Sequence, residues 1–578
     1  MSARRGVLVF LALLSLLGVA VLFAALRLRG PAPAASGATV LTFEVPAQLE
    51  ESEPPFPTFS LRRLGRESTT LYDVVTAIRA ATEDDHVQAL VLHVGGIRWG
   101  WAKLGEVREA LQAFARSGKM VYASLAPGAG EPEYLLASVA DVIVMPPTAT
   151  LGLNGLSLTT MFFKGTFDKL GVSPNFDHVG AYKSAVEGYT QASMSPPARL
   201  ALRAVLDDHY RLLVDSLASA RSLSRREVAQ ALDDGPFNGR DAEARGLIDT
   251  LLYDAEVDSF ALAQTGAHAE ALPLSRYLDR LPERHAAKHI ALIVVEGAIV
   301  PGKSRGTGEE GREAGAETLI EALREARKHR SIRAVVLRVD SPGGSAQASD
   351  DIWREVGRCR QAKPVIVSMS DYAASGGYYI AVPADSIVAD PATITGSIGI
   401  FGGKFNVVGL LHKAGLSVET ISRGAHAGMY SPFTDFTPEE ARLFHAQLED
   451  NYRAFIERVA RGRGRTRDQI EAVAGGRVWT GLAARSRGLV DRLGGLETAI
   501  GMARGRAGIG ADETIVVERL PKPKHSFLQG LLEGLFSEDD FSSRALLDLP
   551  PVIRALIATA RLPIGEAMAL MPYTIEVR

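Results

Sequence analysis

Residues 89–96 read ALVLHVGG, and the chain returns to this pattern 245 residues later with AVVLRVDSPGG at 334–344. Two more segments recur at nearly the same distance. ADVIVMPPTATLGLNGL from Ala140 matches ADSIVADPATITGSIGI from Ala384, and GRDAEARGLID from Gly239 matches GLAARSRGLVD from Gly481. Three matches at a nearly constant offset indicate a duplicated domain, whose unit is far too long for a solenoid repeat.

Each copy alternates strand-like and helical patterns. AVVLRV at 334–339 and PVIVSM at 364–369 are short continuous apolar runs, as expected for strands covered on both faces. TLIEALREARKHRSI at 318–332 has apolar residues at helical spacing. Strand, helix and strand in repetition imply a parallel sheet with right-handed crossovers. We therefore predict the α/β class, with two tandem domains at 38–285 and 286–520 in the 578-residue chain.

The two ends of the chain differ from this pattern. Val7 to Leu26 contains no charge or proline and has arginines on both sides. Twenty such residues, at about 1.5 Å each, span a hydrocarbon core of about 30 Å, so residues 1–30 are predicted to form a transmembrane helix that anchors the chain. The apolar part of a cleaved signal peptide is shorter, although small residues at 31–38 leave cleavage open. No chemistry is assigned to the C-terminal extension, residues 521–578.

Composition excludes several kinds of site. Lys and Arg number 64 against 67 Asp and Glu, a near balance that gives no reason to expect a nucleic-acid partner. Cys359 is the only cysteine, so neither an intrachain disulfide nor a thiolate metal cluster can form.

Two glycine-rich motifs follow neighbouring apolar runs of the second copy. DSPGGS occupies 340–345 and DYAASGGYY occupies 371–379. Glycine pairs after strands let a ligand approach and leave amide N–H groups free for an oxyanion. Ser375 is predicted to lie at a strand-to-helix turn, beside the positive end of a helix dipole. A serine in such a turn is ordinarily a turn former, but two motifs at the carboxyl ends of adjacent strands indicate a ligand site.

A nucleophilic serine needs a base, and no histidine of the second copy stands in a recognisable triad arrangement with an acid. A lysine whose pKa is lowered by burial can serve instead. VGAYKSAVE at 179–187 supplies Lys183, and the repeat places Lys183 opposite Ala427 and Ser375 opposite Glu131. Each copy therefore lacks what the other has, which predicts one composite site. Independent decay of two sites in an inactive scaffold is the alternative.

At these residues the sequence closely resembles the long, duplicated form of signal peptide peptidase A (protease IV), within the Clp-protease and crotonase-like superfamily. DSPGG, AASGGYY, TGSIGIFG and YKSAVE occur in the family's order and spacing. The resemblance implies that Ser375 is the nucleophile and Lys183 the general base. It also implies an oxyanion hole from the amides of Gly344 and Gly376. Ser397 of TGSIG is a further candidate, either for orienting the lysine amine or for completing a tight turn.

The resemblance implies a membrane-anchored serine endopeptidase that uses an acyl-enzyme intermediate and needs neither metal nor cofactor. It further implies a homotetramer in the bacterial cytoplasmic membrane, with the catalytic body on the extracytoplasmic side. Expected substrates are hydrophobic peptides such as remnant signal peptides. The competing interpretations are a non-catalytic membrane scaffold and a crotonase-type acyl-CoA enzyme, which would use the paired amides without Ser375.

Overall fold

The computed structural model describes residues 38–52, 70–265, 269–282, 285–305, 312–522 and 566–571. The predicted anchor at 1–30 lies outside these residues, as does most of the C-terminal extension. Within the described ranges, no helix combines the length and the apolar character needed to cross a bilayer.

The first half of the chain builds a parallel sheet. ALVLHV forms a central strand because its apolar side chains are covered on both faces, and Ala89, Leu90, Val91 and Leu92 are all buried. In spatial order the strands are Glu270–Pro273, Thr39–Val45, Val87–Val94, Met120–Ser124, Val142–Met145 and Thr250–Leu251.

The second half repeats that order with a second parallel sheet. Its strands run Val516–Leu520, His289–Glu296, Ile332–Ser341, Val365–Ala374, Ser386–Ala389 and Arg492–Leu493. The repeated sequence segments thus occupy equivalent strands, and the predicted α/β class with parallel sheets is confirmed.

Helices cover the sheets. Ala316–Lys328 illustrates why they form, because Leu319, Ala322, Leu323 and Ala326 make one buried stripe and basic residues occupy its last turn. In the first half the α-helices are Leu71–Glu83, Trp101–Arg116, Glu131–Ala137, Lys164–Leu170, Glu187–Thr190, Pro196–Arg221, Arg225–Asp234, Gly239–Ala244, Asp254–Thr265 and Leu274–Arg280, with a 3₁₀ turn at Ser184–Val186. The second half has Ala316–Lys328, Ala346–Ala362, Gly376–Ala381, Val408–Lys413, Pro438–Arg463, Arg467–Glu471, Gly481–Ser486 and Leu496–Arg506.

Further short strands lie at the carboxyl end of each main sheet, as a separate small sheet in the first half and as an extension of the main sheet in the second. The first half pairs Gly128–Ala129, Thr150–Leu151 and Phe237–Asn238. In the second half the end of the strand Val365–Ala374 pairs with Ile394–Gly396, which in turn pairs with Val478–Thr480.

A mixed sheet joins the two halves. Its order is Glu313–Gly315, Ala298–Val300, Gly343–Ser345, Met568–Leu570, Ile400–Asn406 and Ser173–Val179. Ser173–Val179 belongs to the first half and pairs antiparallel with Ile400–Asn406 of the second. Because Lys183 follows that strand by four residues, this pairing carries it into the second half.

Candidate active site

Ser375 lies at a sharp turn between a strand and a helix. The strand Val365–Ala374 ends just before it, and the helix Gly376–Ala381 begins just after it. Its backbone has φ +55° and ψ −112°, a conformation that costs a non-glycine residue about 1–3 kcal/mol. Two hydrogen bonds hold it there, since the Ser375 N–H donates to the Gly396 carbonyl at 2.8 Å and the Tyr379 N–H donates to the Ser375 carbonyl at 2.8 Å. The turn thus fixes a buried hydroxyl at the end of the sheet.

Lys183 enters the second half through a gap lined by glycines. The Tyr182 N–H donates to the Gly475 carbonyl at 2.8 Å. Gly476 has φ +83°, and a Cβ at that position would lie 2.5 Å from the Lys183 nitrogen and 2.6 Å from its Cα. A Cβ on Gly399 would lie 3.1 Å from the Lys183 Cδ. These glycines therefore let the lysine approach. Sequence reasoning missed Gly476, whose only signal is the adjacent pair of glycines at 475 and 476.

The amine of Lys183 contacts the two candidate serines of the second half, Ser375 and Ser397. Its Nζ lies 2.8 Å from Ser375 Oγ, 3.1 Å from Ser397 Oγ and 3.1 Å from the Ser397 carbonyl oxygen. Ser397 is itself held at φ +51°, with its N–H donating to the Arg477 carbonyl at 2.8 Å. The structure thus brings Lys183, Ser375 and Ser397 together within one chain, although they lie far apart in sequence.

The surroundings of this amine favour its neutral form. Lys183 is fully buried, and burial holds the pKa of its amine well below the ordinary value. A neutral amine has two N–H donors and one lone pair. The Ser397 carbonyl and hydroxyl oxygens are placed to accept the two donors, which leaves the lone pair to accept the Ser375 O–H.

The two glycine motifs meet beside Ser375. Gly376 is the first residue of its helix, so its amide has no acceptor within that helix. Gly343 has φ +102°, and a Cβ there would lie 2.7 Å from the Gly376 nitrogen. Gly344, the next residue, is in the short strand Gly343–Ser345. A Cβ on Gly344 would overlap the Ile299 carbonyl oxygen, so this strand too is packed too closely for any larger residue.

Asp340 and Asp371 are the first residues of the two glycine-rich motifs, and both bind to residues of the first half. Lys103 Nζ lies 2.7 Å from Asp340 Oδ2 and 3.7 Å from Asp371 Oδ2. Asp371 also accepts the N–H groups of Ala102 and Lys103, both at 3.0 Å, in the first turn of the helix that begins at Trp101. Burial raises the pKa of Asp371 to about 6, although the Lys103 ammonium opposes the shift. These contacts orient both motifs, and the sequence pattern did not predict them.

A second buried charge cluster lies behind the first. The Arg338 guanidinium donates to both oxygens of Glu51 at 2.9 and 2.8 Å, and its Nη1 lies 2.7 Å from Glu106 Oε1. Burial opposes the ionised form of Glu51, but Arg338 and Lys103 outweigh it and hold the pKa of Glu51 at about 2. Arg338 belongs to the second half and both carboxylates to the first, so the cluster fixes one half against the other.

The equivalent positions of the first half carry no such chemistry. Glu131, opposite Ser375 in the repeat, is buried, and its Oε1 accepts the N–H groups of Asn154 at 2.7 Å and Gly155 at 2.8 Å. Ala427, opposite Lys183, lies in an exposed turn. In the part of the chain that the structure describes, no cluster of His, Cys, Asp or Glu is arranged to hold a metal ion.

The family model and the relatives that cover most of the chain agree on one family. The family described as Peptidase family S49 matches twice, at residues 113–266 and 358–510. "Serine protease SPPA, chloroplastic" of Arabidopsis thaliana is 35% identical over 482 residues, covering 81% of this chain and 70% of the relative. "Protease 4" of Salmonella typhi is 35% identical over 452 residues, covering 76% and 72%. A solved structure of ClpP1 from Listeria monocytogenes covers 35% of this chain and 91% of its own at 17% identity, with a TM-score of 0.21, too low to bear on the site.

Proposed function

The chain belongs to peptidase family S49 and is a serine protease, and from that premise we propose that it works through a dyad of Ser375 and Lys183. The nucleophile is assigned to the domain at 286–520 and the base to the domain at 38–285. The observation that carries the proposal is the 2.8 Å contact between the buried Lys183 amine and the Ser375 hydroxyl.

The proposed reaction is acyl transfer to the serine. Neutral Lys183 takes the proton of Ser375, and the oxygen attacks a peptide carbonyl. The amides of Gly344 and Gly376 stabilise the oxyanion, where one such donor is typically worth about 2.7–4 kcal/mol. Lys183 then returns the proton to the leaving amine, and water hydrolyses the acyl-enzyme. Ser397 orients the amine throughout by accepting its two N–H groups.

The proposed substrates are extended hydrophobic peptides, including remnant signal peptides. The family resemblance supports this class. The site supports it as well, because the short strand that contains Gly344 pairs on one edge with the extended segment Met568–Leu570, and an extended peptide can take the same place. No step of this reaction requires a metal or a cofactor.

Anchoring through Val7 to Leu26 is also proposed, with the body on the extracytoplasmic side of a bacterial cytoplasmic membrane. The length and charge-free character of this segment support the anchor. The test is fractionation of cells: the full-length chain should remain with membranes after a carbonate wash, and a chain that begins at residue 38 should not.

Assembly into a homotetramer is also proposed on the family resemblance, and the pairing that crosses the two halves supports a contact between copies. Ser173–Val179 of the first half pairs with Ile400–Asn406 of the second. Their counterparts in the repeat are 417–423 and 156–162, and neither forms a strand within the described chain. Ile421 is 95% exposed and Met161 is 49% exposed. Pairing of these two segments between successive copies would repeat the intrachain contact and join the copies head to tail.

The protease proposal is tested by labelling with a fluorophosphonate probe. We expect the probe to label Ser375, identified by peptide mass spectrometry, because only an activated serine reacts. The Lys183→Ala chain should label far more slowly, while Glu131→Gln, which alters the equivalent position of the first half, should label normally. A folded chain that neither labels nor cleaves a hydrophobic peptide would favour the non-catalytic scaffold.

A further inference from the structure

A cavity lies where the first half packs against the short strand Val478–Thr480 of the second half. Its volume is about 410 Å³, within the range of roughly 300–1,000 Å³ that is typical of small-ligand sites. The long helix Pro196–Arg221 forms one wall, and the strand with the following helix Gly481–Ser486 forms the other. No step of the proposed reaction uses this cavity, so it is a candidate for a second binding site.

The cavity is close to the proposed catalytic residues. Val478 lines it and pairs with Gly396, whose carbonyl accepts the Ser375 N–H at 2.8 Å. The strand Val478–Thr480 is therefore two strands away from the strand that ends before Ser375, which is about 10 Å at the spacing of paired strands. A peptide of a few residues can span that distance.

Two arginines share one aromatic side chain in this cavity. The Cζ atoms of Arg477 and Arg487 lie over the Trp479 ring, at 4.1 and 3.8 Å from its centroid. Arg477 also lies over the Tyr182 ring, at 5.2 Å. Stacking on aromatic faces restricts the orientation of both guanidinium planes. The cavity therefore presents two oriented cations.

Neither cation has a carboxylate partner. Among the described residues, neither arginine forms an ion pair, and Arg477 Nε is buried without a hydrogen-bond acceptor. Arg487 Nη1 donates to neutral oxygens, the Ala483 carbonyl at 2.8 Å and Ser486 Oγ at 3.1 Å. Burial and the Arg477 charge lower the pKa of Arg487, although Asp208 opposes the shift. A buried guanidinium nitrogen without an acceptor is costly, and an anion in the cavity would supply one.

The acidic residues of the cavity do not pair with these two arginines. Asp208 binds Arg211 and accepts the Thr480 hydroxyl at 2.7 Å. Asp207 is exposed, and within the described part of the chain no ion pair joins it to either arginine. The cavity thus has three arginines against two aspartates, an excess of one positive charge.

Much of the remaining wall is apolar. Val205, Val478 and Trp479 are buried and line the cavity together with Leu482. An anion attached to an apolar body fits such a site better than a free inorganic anion, because its body can bury surface against these side chains. A peptide that ends in a carboxylate has both parts, and carboxylates match the planar fork of arginine. Each peptide bond that a serine protease hydrolyses produces one such end.

Resting on the peptide substrates proposed above, we propose that this cavity binds the C-terminal carboxylate of an apolar peptide, with Arg477 and Arg487 as the residues that hold it. The two guanidinium groups donate N–H groups to the carboxylate oxygens, and the last side chains of the peptide pack against Trp479 and Val205. No bond is made or broken there. The site selects peptides by their terminus and not by the sequence around the bond that Ser375 cleaves.

Calorimetric titration of the Ser375→Ala chain tests the proposal, because removing the proposed nucleophile keeps the probe intact. The probe is an N-acetylated tetrapeptide of alanine and leucine with a free carboxylate, and its C-terminal amide is the matched comparison. We expect the acid to bind at least about tenfold more tightly than the amide, because hydrogen bonds to charged groups contribute that much. Equal binding of the two peptides, no binding of either, or binding of inorganic phosphate as tight as that of the acid would overturn the proposal.

Substitutions in the same background locate the binding. Arg487→Gln should weaken binding of the acid at least about tenfold and leave binding of the amide unchanged. Arg477→Lys keeps a positive charge but loses the planar fork, so it should weaken binding of the acid severalfold. Arg485→Gln is the control, since Arg485 is an exposed arginine of the helix Gly481–Ser486 that does not line the cavity. Unchanged affinity in Arg487→Gln, or equal weakening in Arg485→Gln, would place the carboxylate elsewhere and overturn the proposal.

Hydrolysis separates this proposal from the dyad. If the wild-type chain cleaves a longer apolar peptide while the acid and the amide bind alike, the carboxylate site is wrong and the dyad stands. If the acid binds selectively but no peptide is cleaved and Ser375 is not labelled by the fluorophosphonate, the dyad fails and the carboxylate site stands.

Discussion

The two halves of the chain fold alike, yet they hold different groups at the same turn. Ser375 in the second half presents a hydroxyl to a buried amine at 2.8 Å. Glu131 in the first half instead presents a carboxylate that accepts two backbone N–H groups, those of Asn154 and Gly155. The strand order is the same in both sheets. The difference teaches that this fold is kept by its packed strands and helices, while the chemistry at the strand ends is free to change.

The halves also use the segment before the lysine differently. In the first half, Ser173–Val179 is a strand that pairs with the second half and leads to Lys183. In the second half, the equivalent segment at 417–423 forms no strand and is largely exposed, and Ala427 stands in place of the lysine. Within the described residues, a lysine and a serine therefore meet in this way at one place, because Ala427 and Glu131 occupy the second pair of equivalent positions.

The largest expected effect is the loss of activity when Ser375 or Lys183 is replaced, compared with a substitution at Glu131. Ser375→Ala and Lys183→Ala should each lower kcat for a hydrophobic peptide by roughly 10⁴-fold or more, because groups of a catalytic unit fail together. The matched substitution in the first half, Glu131→Gln, should change kcat less than about twofold, since Glu131 accepts the backbone N–H groups of Asn154 and Gly155, and the glutamine side chain keeps an acceptor oxygen. Steady-state kinetics on the three variants is the measurement. A loss in Glu131→Gln equal to that in Ser375→Ala would contradict a single site.

The next effect concerns stability and compares Arg338 with His93, its counterpart in the repeat. Arg338→Met should lower the free energy of unfolding by about 3–5 kcal/mol, because it leaves the buried carboxylates of Glu51 and Glu106 without their partner. His93→Leu should cost at most about 1 kcal/mol, since the side chains of its partners Asp254 and Asp258 are nearly half exposed and water solvates their charges. Urea denaturation followed by intrinsic fluorescence measures both. Equal losses would show that the buried cluster around Arg338 contributes no more to stability than the more exposed cluster around His93.

A smaller loss of activity is expected from a substitution at Gly476, the residue of the second half against which Lys183 packs. Gly476→Ala should lower kcat by about 10²-fold, because a Cβ at φ +83° strains the backbone and displaces Lys183 from the Ser375 hydroxyl. Gly505→Ala is the control, since a Cβ there meets nothing within 4 Å. The two variants should be compared in kcat and in fluorophosphonate labelling rate. Normal labelling of Gly476→Ala would remove the proposed role of this close approach.

The smallest expected effect is a gradual change of kcat/KM with pH. At low pH Lys183 is protonated and has no lone pair for the Ser375 proton, so kcat/KM should rise about tenfold per pH unit and level off above the pKa of the amine. Burial lowers that pKa, so the plateau should begin well below the ordinary range of a lysine. Circular dichroism over the same pH range shows that the chain stays folded. A flat rate from about pH 5 to 9 would argue against a lysine base.

Several features were predictable because they follow from local pattern. The apolar runs at 89–94 and 334–339 had to be buried strands, and their repetition at a constant offset had to mean two similar sheets. The turn at Ser375 was also predictable, because a strand pattern followed by paired glycines and a helix pattern allows few conformations. The predicted domain boundaries, near 38, 285 and 520, stay predictions.

Other features could not be predicted because their partners are distant in sequence. Lys103 looks like an ordinary surface charge in its own segment. Arg338 lies in a strand predicted to be buried, but no acidic partner for it is present in that segment, and only packing of the two halves brings carboxylates to both residues. Gly476 resembles a common turn glycine until Lys183 lies against it. The C-terminal extension offered no motif, yet its segment Met568–Leu570 pairs with the strand Gly343–Ser345.

The sequence by itself determined the duplication and the α/β class and singled out Ser375 and Lys183 as candidates, because strand and helix periodicity and glycine-rich turns are properties of neighbouring residues. Tertiary structure alone decided that Lys183 reaches Ser375 within one chain and that burial lowers the pKa of the Lys183 amine. It also decided that the C-terminal segment Met568–Leu570 pairs with the strand Gly343–Ser345. Those outcomes depend on which surfaces exclude water together, and that is a property of the packed molecule.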